Sequence, residues 1–388
     1  MKKSLITLTV MLTAAALTAV FSGPAMAKVT GRCDNCHTMH NSQGGSAMAT
    51  DGSSPELGTP PYGTLLTDTC VGCHSGVVVT DAYYNLGGCN VPIVNHTGGS
   101  GPTNYLAGGN FWWVADNGGN EDTKGHNVLG ISGEDAHLTL SGPQEAPGNQ
   151  QGGMCKTAGC HGSLARENTH VPELGSGCEG CHLRVRHHAD DRGDPVTGSY
   201  RVTTEDQGWY RFLAAHSGNH VKPFGVHGIE DVDWQQLSKA SANKHNEYRG
   251  SAGGNETYTT LNDAQNPTVT AFCCGCHGEF HIQEESGSWI RHPSDAVLPD
   301  RDPDSEYEAY TKYDPLAPVA RDSLTAVSPS VQANSDMVMC LSCHRPHGSP
   351  YADLLRWKYT GDGGCEAQGE SECGCFVCHT QKGTYSNP

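Results

Sequence analysis

The sequence predicts a chain of mostly irregular coil with short helices and a few short strands, and three observations predict it. Glycine supplies 49 of the 388 residues and proline 21, the hydrophobic set amounts to 36%, and cysteine occurs 18 times. Glycine and proline at that density punctuate the chain too often for long regular elements. A chain this poor in apolar side chains needs another source of core. So many cysteines first suggest a disulfide scaffold, but their spacing points elsewhere.

Six times, two cysteines stand three positions apart with histidine directly after the second. The sets are Cys33, Cys36 and His37; Cys70, Cys73 and His74; Cys178, Cys181 and His182; Cys273, Cys276 and His277; Cys340, Cys343 and His344; and Cys375, Cys378 and His379. This is the attachment pattern of c-type haem. The two thiols add to the two vinyl groups of the porphyrin, and the adjacent histidine is then held beneath the ring to ligate iron. Zinc knuckles would require paired four-ligand sets, and redox Cys-x-x-Cys pairs have no reason to carry a histidine after every second cysteine. A seventh site, formed by Cys155, Cys160 and His161, keeps the same order with four residues between the thiols. The predicted cofactor complement is seven haem c groups. The predicted fold class is therefore a multihaem cytochrome c, its coil wrapped around a haem stack whose porphyrin faces supply the missing apolar surface.

Cys89, Cys274, Cys365 and Cys373 are left over. The last site has two registers, because Cys373 to Cys378 also fits the wide spacing; the narrow register, Cys375 to Cys378, is preferred. Cys365 with Cys373, or either with Cys89, could form a disulfide in an oxidising compartment, and spacing alone leaves the connectivity open. Cys274 lies inside a haem loop and is read as free.

The chain has 21 histidines, three for every predicted iron. That surplus favours bis-histidine ligation, which leaves iron no open position for a substrate. Methionine competes poorly, since three of the eight, Met1, Met11 and Met26, fall at the extreme N-terminus. His40, His281 and His347 follow closely on motif histidines and are placed to cap a neighbouring iron. His187 and His188 stand side by side, a pair expected to supply one ligand. His126, His245 and His292 complete the expected distal set. His96, His137, His170, His216, His220 and His227 are read as exposed or hydrogen-bonded.

Residues 1–27 read as a signal peptide: Lys2 and Lys3, an apolar run from Leu5 to Val20, and a small-residue exit at Ala25-Met26-Ala27. The run is too short for a membrane span, and no later stretch approaches that length. Residues 28–388 then form one multihaem region, with no internal boundary evident. The intervals 75–154 and 183–272 hold aromatic segments such as Asn110–Val114 and Gly208–Leu213, expected as short strands and haem-covering loops. Short helices are expected at the attachment motifs and at Ala352–Trp357. Formal charge is −18, which disfavours nucleic acid and anionic membranes and suits cationic partners or metal cations.

Several stretches resemble the outer-surface multihaem c-type cytochromes of dissimilatory metal-reducing bacteria, including a filament-forming hexahaem member. They are Cys36-His37-Thr38-Met39-His40-Asn41, Lys124-Gly125-His126-Asn127, Cys276-His277 with His281 and Arg291-His292-Pro293, Cys340-Leu341-Ser342-Cys343-His344-Arg345-Pro346-His347, and the closing haem site. The resemblance implies an extracellular electron conduit acting on metal oxides or other terminal acceptors, with other redox proteins or further copies of itself as partners. It also implies that His40 caps a haem in the next subunit. Seven sites and the wide motif depart from the six-haem pattern. A periplasmic shuttle differs from such a conduit only in location and assembly. A multihaem reductase of the nitrite or hydroxylamine type would need an iron with an open face, commonly at a motif lacking histidine, and no such motif occurs.

Overall fold

The structure is a computed structural model that describes residues 33, 36–43, 46–47, 70–86, 89–115, 121–135, 164–165, 177–183, 185–189, 200–216, 223–231, 244–252, 266–274, 277, 292–301, 306–361, 363–365 and 373–380. The expected signal peptide, Cys276 and His281 lie outside them. So does the whole wide site: Cys155, Cys160 and His161 have no described geometry, and the seventh attachment site is an expectation from sequence.

Among the described residues α-helix is confined to short turns at attachment motifs: α1 (Val71–His74), α2 (Val269–Cys274), α3 (Cys340–Cys343) and α4 (Cys375–Cys378). The cause is local. In all six narrow motifs the histidine N–H donates to the carbonyl of the first cysteine, at 2.8 to 3.1 Å. That is one closed α-helical turn, which puts two cysteines three apart on the same side.

Strands are short as well. A hairpin pairs β1 (Tyr83–Leu86) with β2 (Cys89–Pro92). It is tied to the second attachment turn, because the Tyr84 hydroxyl donates to the Cys73 carbonyl at 2.6 Å. The largest sheet joins β3 (Tyr200–Val202), β4 (Gly228–Glu230), β5 (Glu247–Arg249), β6 (Ala296–Val297), β7 (Ala320–Arg321) and β8 (Met337–Val338) in the order β6-β8-β7-β5-β4-β3. All its pairings are antiparallel except β5 with β7. Elements of two or three residues cannot make a large core of their own, and the apolar clusters are correspondingly local. One gathers Tyr210, Val226, Tyr248, Val269, Ala320, Met337 and Met339, and a second gathers Leu298, Tyr310, Tyr313, Ala317, Val319, Val331 and Val377. Attachment cysteines pack against both, Cys273 on the first and Cys378 on the second. Cys178 likewise packs on Phe111, Val114 and Val128. Each small core thus borders a predicted haem site.

Two aromatic segments differ from expectation. Phe111–Trp113 and Tyr210–Phe212 are 3-10 turns rather than strands. In the first, Asn110 caps the turn by accepting from the Trp112 N–H at 3.0 Å. The helix expected over Ala352–Trp357 is one 3-10 turn, Ala352–Leu354, because Asp353 and Leu354 adopt positive φ and the chain then leaves as extended backbone to aim Arg356 inward.

Candidate functional site

A strap at residues 343–349 organises the middle of the molecule. The His347 N–H donates to the Gly108 carbonyl at 2.8 Å, Asn110 N–H to Gly348 at 3.0 Å, and Ser349 N–H to Lys124 at 2.9 Å. The close approach needs glycine at Gly348, whose φ is +120°; a Cβ there would meet the Asn110 and Lys124 carbonyl oxygens at 2.8 and 2.9 Å. The strap brings His347 beside Phe111, with ring centroids 4.8 Å apart. It also sets the Pro346 carbonyl 2.8 Å from His126 Nδ1, across 220 residues of sequence.

Five motif histidines face a non-motif histidine. Ring centroids are 6.3 Å apart for His37–His188, 6.3 Å for His74–His187, 6.0 Å for His277–His126, 6.1 Å for His182–His347 and 6.5 Å for His379–His292. Two imidazole nitrogens each about 2 Å from one metal put their ring centroids about 6 Å apart, so these pairs fit a single iron between them. Both members of His187-His188 take part, although their adjacency in sequence suggested one.

Other polar atoms fit the same group. His74, His182, His344 and His292 each hold Nδ1 within 2.8 to 3.1 Å of a backbone carbonyl, those of Pro92, Arg211, Asp353 and Pro293. A ring that donates through Nδ1 presents Nε2 to a metal. Desolvation pushes His182 down to about 4 and His347 to about 3, and lowers His74 and His126 as well, so these imidazoles are neutral at neutral pH, the form that a metal binds. His347 Nδ1 is itself buried without a hydrogen-bond partner. Arg345 and Arg356 are buried and bond only carbonyls: Arg345 those of Leu106 and Ala107, Arg356 those of Leu341, Pro315 and Ala107. Burial, with Arg356 nearby, drives Arg345 down to about 9. No ion pair to either guanidinium occurs among the described residues. Buried cations without carboxylates suit the propionates of a haem.

Among the described residues, attachment cysteines of different sites neighbour one another. Cys70 bonds Cys178, and Cys273 bonds Cys340 and feels the charge of Cys181. Burial raises the Cys343 and Cys378 thiols, helped by Cys375 at the first and by Cys343 at the second. Within the second site, Cys70 is exposed and Cys73 half-buried, so the pair spans the surface as the edge of a porphyrin would. His187 and His188, adjacent in sequence, bring the first two sites together. The sequence carried no sign of this arrangement.

The remaining expected ligands are placed as follows. His40 has φ +53°, and its Nδ1 is buried and without a partner. No histidine ring lies opposite His344 among the described residues. His161, His281, Cys160 and Cys276 fall outside those residues. His245 is fully buried, with Nε2 3.0 Å from Glu247 Oε1 and its ring stacked on Tyr313 at 3.5 Å and 7°; one ring face and Nε2 are both engaged by protein. Of the histidines read as exposed or hydrogen-bonded, His96 is fully buried with Nε2 3.2 Å from the Asp81 carbonyl, and His227 is half-buried against Trp209 at 5.9 Å.

Six Cys-x-x-Cys-His turns, five of them with a second histidine ring at iron-spanning distance, define a multihaem c-type cytochrome, a class whose work is electron transport. The family model for the doubled CXXCH motif matches residues 332–384. The chain is a relative of C-type cytochrome OmcS of Geobacter sulfurreducens, 23% identical in an alignment covering 84% of this chain and 78% of that protein. Two solved structures also match, an Outer Membrane Cytochrome S filament from Geobacter sulfurreducens (18% identity, 86% and 85% coverage, TM-score 0.45) and OmcS nanowires from the same organism (18%, 85% and 84%, TM-score 0.37).

Proposed function

We propose that residues 28–388, released from the signal peptide 1–27, form an exported heptahaem cytochrome that conducts electrons in extracellular electron transfer, with metal oxides or other terminal acceptors at its end. Bound haem c supplies an iron that accepts and returns one electron without changing its ligands. The observation that carries the reading is the set of five histidine pairs at 6.0 to 6.5 Å. Histidine on both faces leaves no position for nitrite or hydroxylamine, which favours transfer over catalysis. Attachment cysteines of different sites lying beside one another suit stepwise passage of an electron from haem to haem.

His344 and His40 supply the two halves of one further ligand pair. His344 lacks a facing ring among the described residues, and His40 carries a buried nitrogen without a partner beside exposed Met39. Both features suit a ligand exchanged between copies in a filament, as the family resemblance implies for His40. His281 is the competing cap for His344. His245, held by Glu247 and Tyr313, serves the fold.

Intact mass of the mature holoprotein tests the cofactor count. Seven haem additions are expected; six would remove Cys155, Cys160 and His161 from the set, and fewer than six would contradict the reading of the narrow motifs. Protease accessibility on intact cells separates a surface location from a periplasmic one, and electron microscopy of surface fractions with and without His40→Ala tests assembly.

A further inference from the structure

The C-terminal attachment site is the one place where the sequence offers haem two partners for the same second thiol, Cys373 or Cys375 with Cys378. In the structure Cys373 is joined to Cys365 by a disulfide. The sulfurs of Cys365, Cys373 and Cys375 all lie within 4.8 Å of one another, so proximity alone does not choose between them. The local backbone favours Cys375. Phe376 and Val377 donate to the Cys373 and Gly374 carbonyls at 3.1 and 3.2 Å, so the helical turn already starts at Cys373. At about 100° per residue, Cys375 and Cys378 share a face, whereas Cys373 lies well round the cylinder from Cys378. Gly374 holds that arrangement against the buried Trp357, for a Cβ there would run into the indole. Cys373 is 2% exposed, and Cys375 is half-buried and unpaired.

We propose that the Cys365–Cys373 disulfide is a register lock for haem attachment: it removes Cys373 from competition, so that the porphyrin is joined only through Cys375 and Cys378. The inference rests on reading this motif as a haem site. Lock formation comes first. The two thiols release two protons and pass two electrons to a dithiol-disulfide oxidant of the export compartment. Attachment itself is redox-neutral, since each thiol of Cys375 and Cys378 adds sulfur to one carbon of a vinyl group and its proton to the other. Before attachment, a Cys375 thiolate can attack Cys373 sulfur, breaking one S–S bond, forming another and expelling the Cys365 thiolate. The Cys375 thioether ends that exchange, because the attacking thiol no longer exists. Haem and disulfide therefore secure each other's register.

Haem-peptide mass spectrometry of holoprotein from the native host tests this. Wild type is expected to give one peptide with thioethers at Cys375 and Cys378, and a separate Cys365–Cys373 linkage. Cys365→Ser frees Cys373 and is expected to raise a second peptide, joined through Cys373 and Cys378, from undetectable to a readily measured fraction. The double variant, Cys365→Ser with Cys373→Ser, is expected to return to the single register, which separates lost competition from impaired folding. Attachment through Cys375 and Cys378 alone in Cys365→Ser would overturn the lock. So would free thiols at Cys365 and Cys373 in the wild type, a measurement that does not depend on any variant folding. A wild-type protein with haem at the other narrow motifs and none here would instead overturn the reading of this site.

Discussion

His245 and His347 look alike in sequence, and the structure gives them opposite surroundings. His347 rides on the 343–349 strap, faces His182 at 6.1 Å and keeps a buried Nδ1 without a partner. His245 precedes β5 and is drawn into a buried polar cluster. Glu247 accepts from the Ser328 N–H at 2.7 Å and pairs with Arg321, which also donates to Asp336 at 3.3 Å. Burial raises the Asp336 carboxyl in spite of that guanidinium. What a histidine does is decided by what its free nitrogen meets, a metal-sized interval before another ring or a carboxylate two residues away.

The largest effect is expected at the cluster. Glu247→Ala leaves Arg321 buried with one carboxylate fewer, and removing one partner of a buried pair costs about 3–5 kcal/mol. Denaturant unfolding should register that loss, with every haem still low-spin. At the strap the signature reverses. His347→Ala should turn one haem high-spin in the electronic spectrum, whereas His245→Gln should turn none; a high-spin haem in His245→Gln would erase the distinction. Gly348→Ala should come next, because a side chain at φ +120° against two carbonyls carries strain of about 1–3 kcal/mol, and it should disturb the His182–His347 and His126–His277 sites together.

The six turns and their motif histidines were legible because attachment chemistry is local, within five residues. So were His126, His187, His188, His292 and His347 as members of the facing set, since histidine surplus and proximity to motifs mark them. Their pairings were not legible. His126 depends on Pro346 across 220 residues, and His187 and His188 sit in a turn closed by the Ala189 N–H on the Arg186 carbonyl, with one ring before His74 and the other before His37. His245 misled because nothing in Lys244-His245-Asn246-Glu247 announces that Arg321 and Asp336 will meet it. The helix expected at Ala352–Trp357 yielded to positive φ at Asp353 and Leu354, a tertiary demand that apolar periodicity does not encode.

The smallest expected effect is in pH dependence away from iron. Desolvation, helped by Arg249 and Arg201, pushes His227 down to about 4, while an unfolded histidine titrates near about 6.5. The unfolded chain therefore binds the extra proton first. Stability should fall as pH drops from about 6.5 toward about 4, and His227→Phe should flatten that part of the curve in thermal melts.

Saturation of the irons is the central claim, and electron paramagnetic resonance of the fully oxidised, assembled protein tests it most directly. Low-spin ferric signals should account for every haem counted by mass. A full equivalent of high-spin ferric iron in that assembled state would contradict the account.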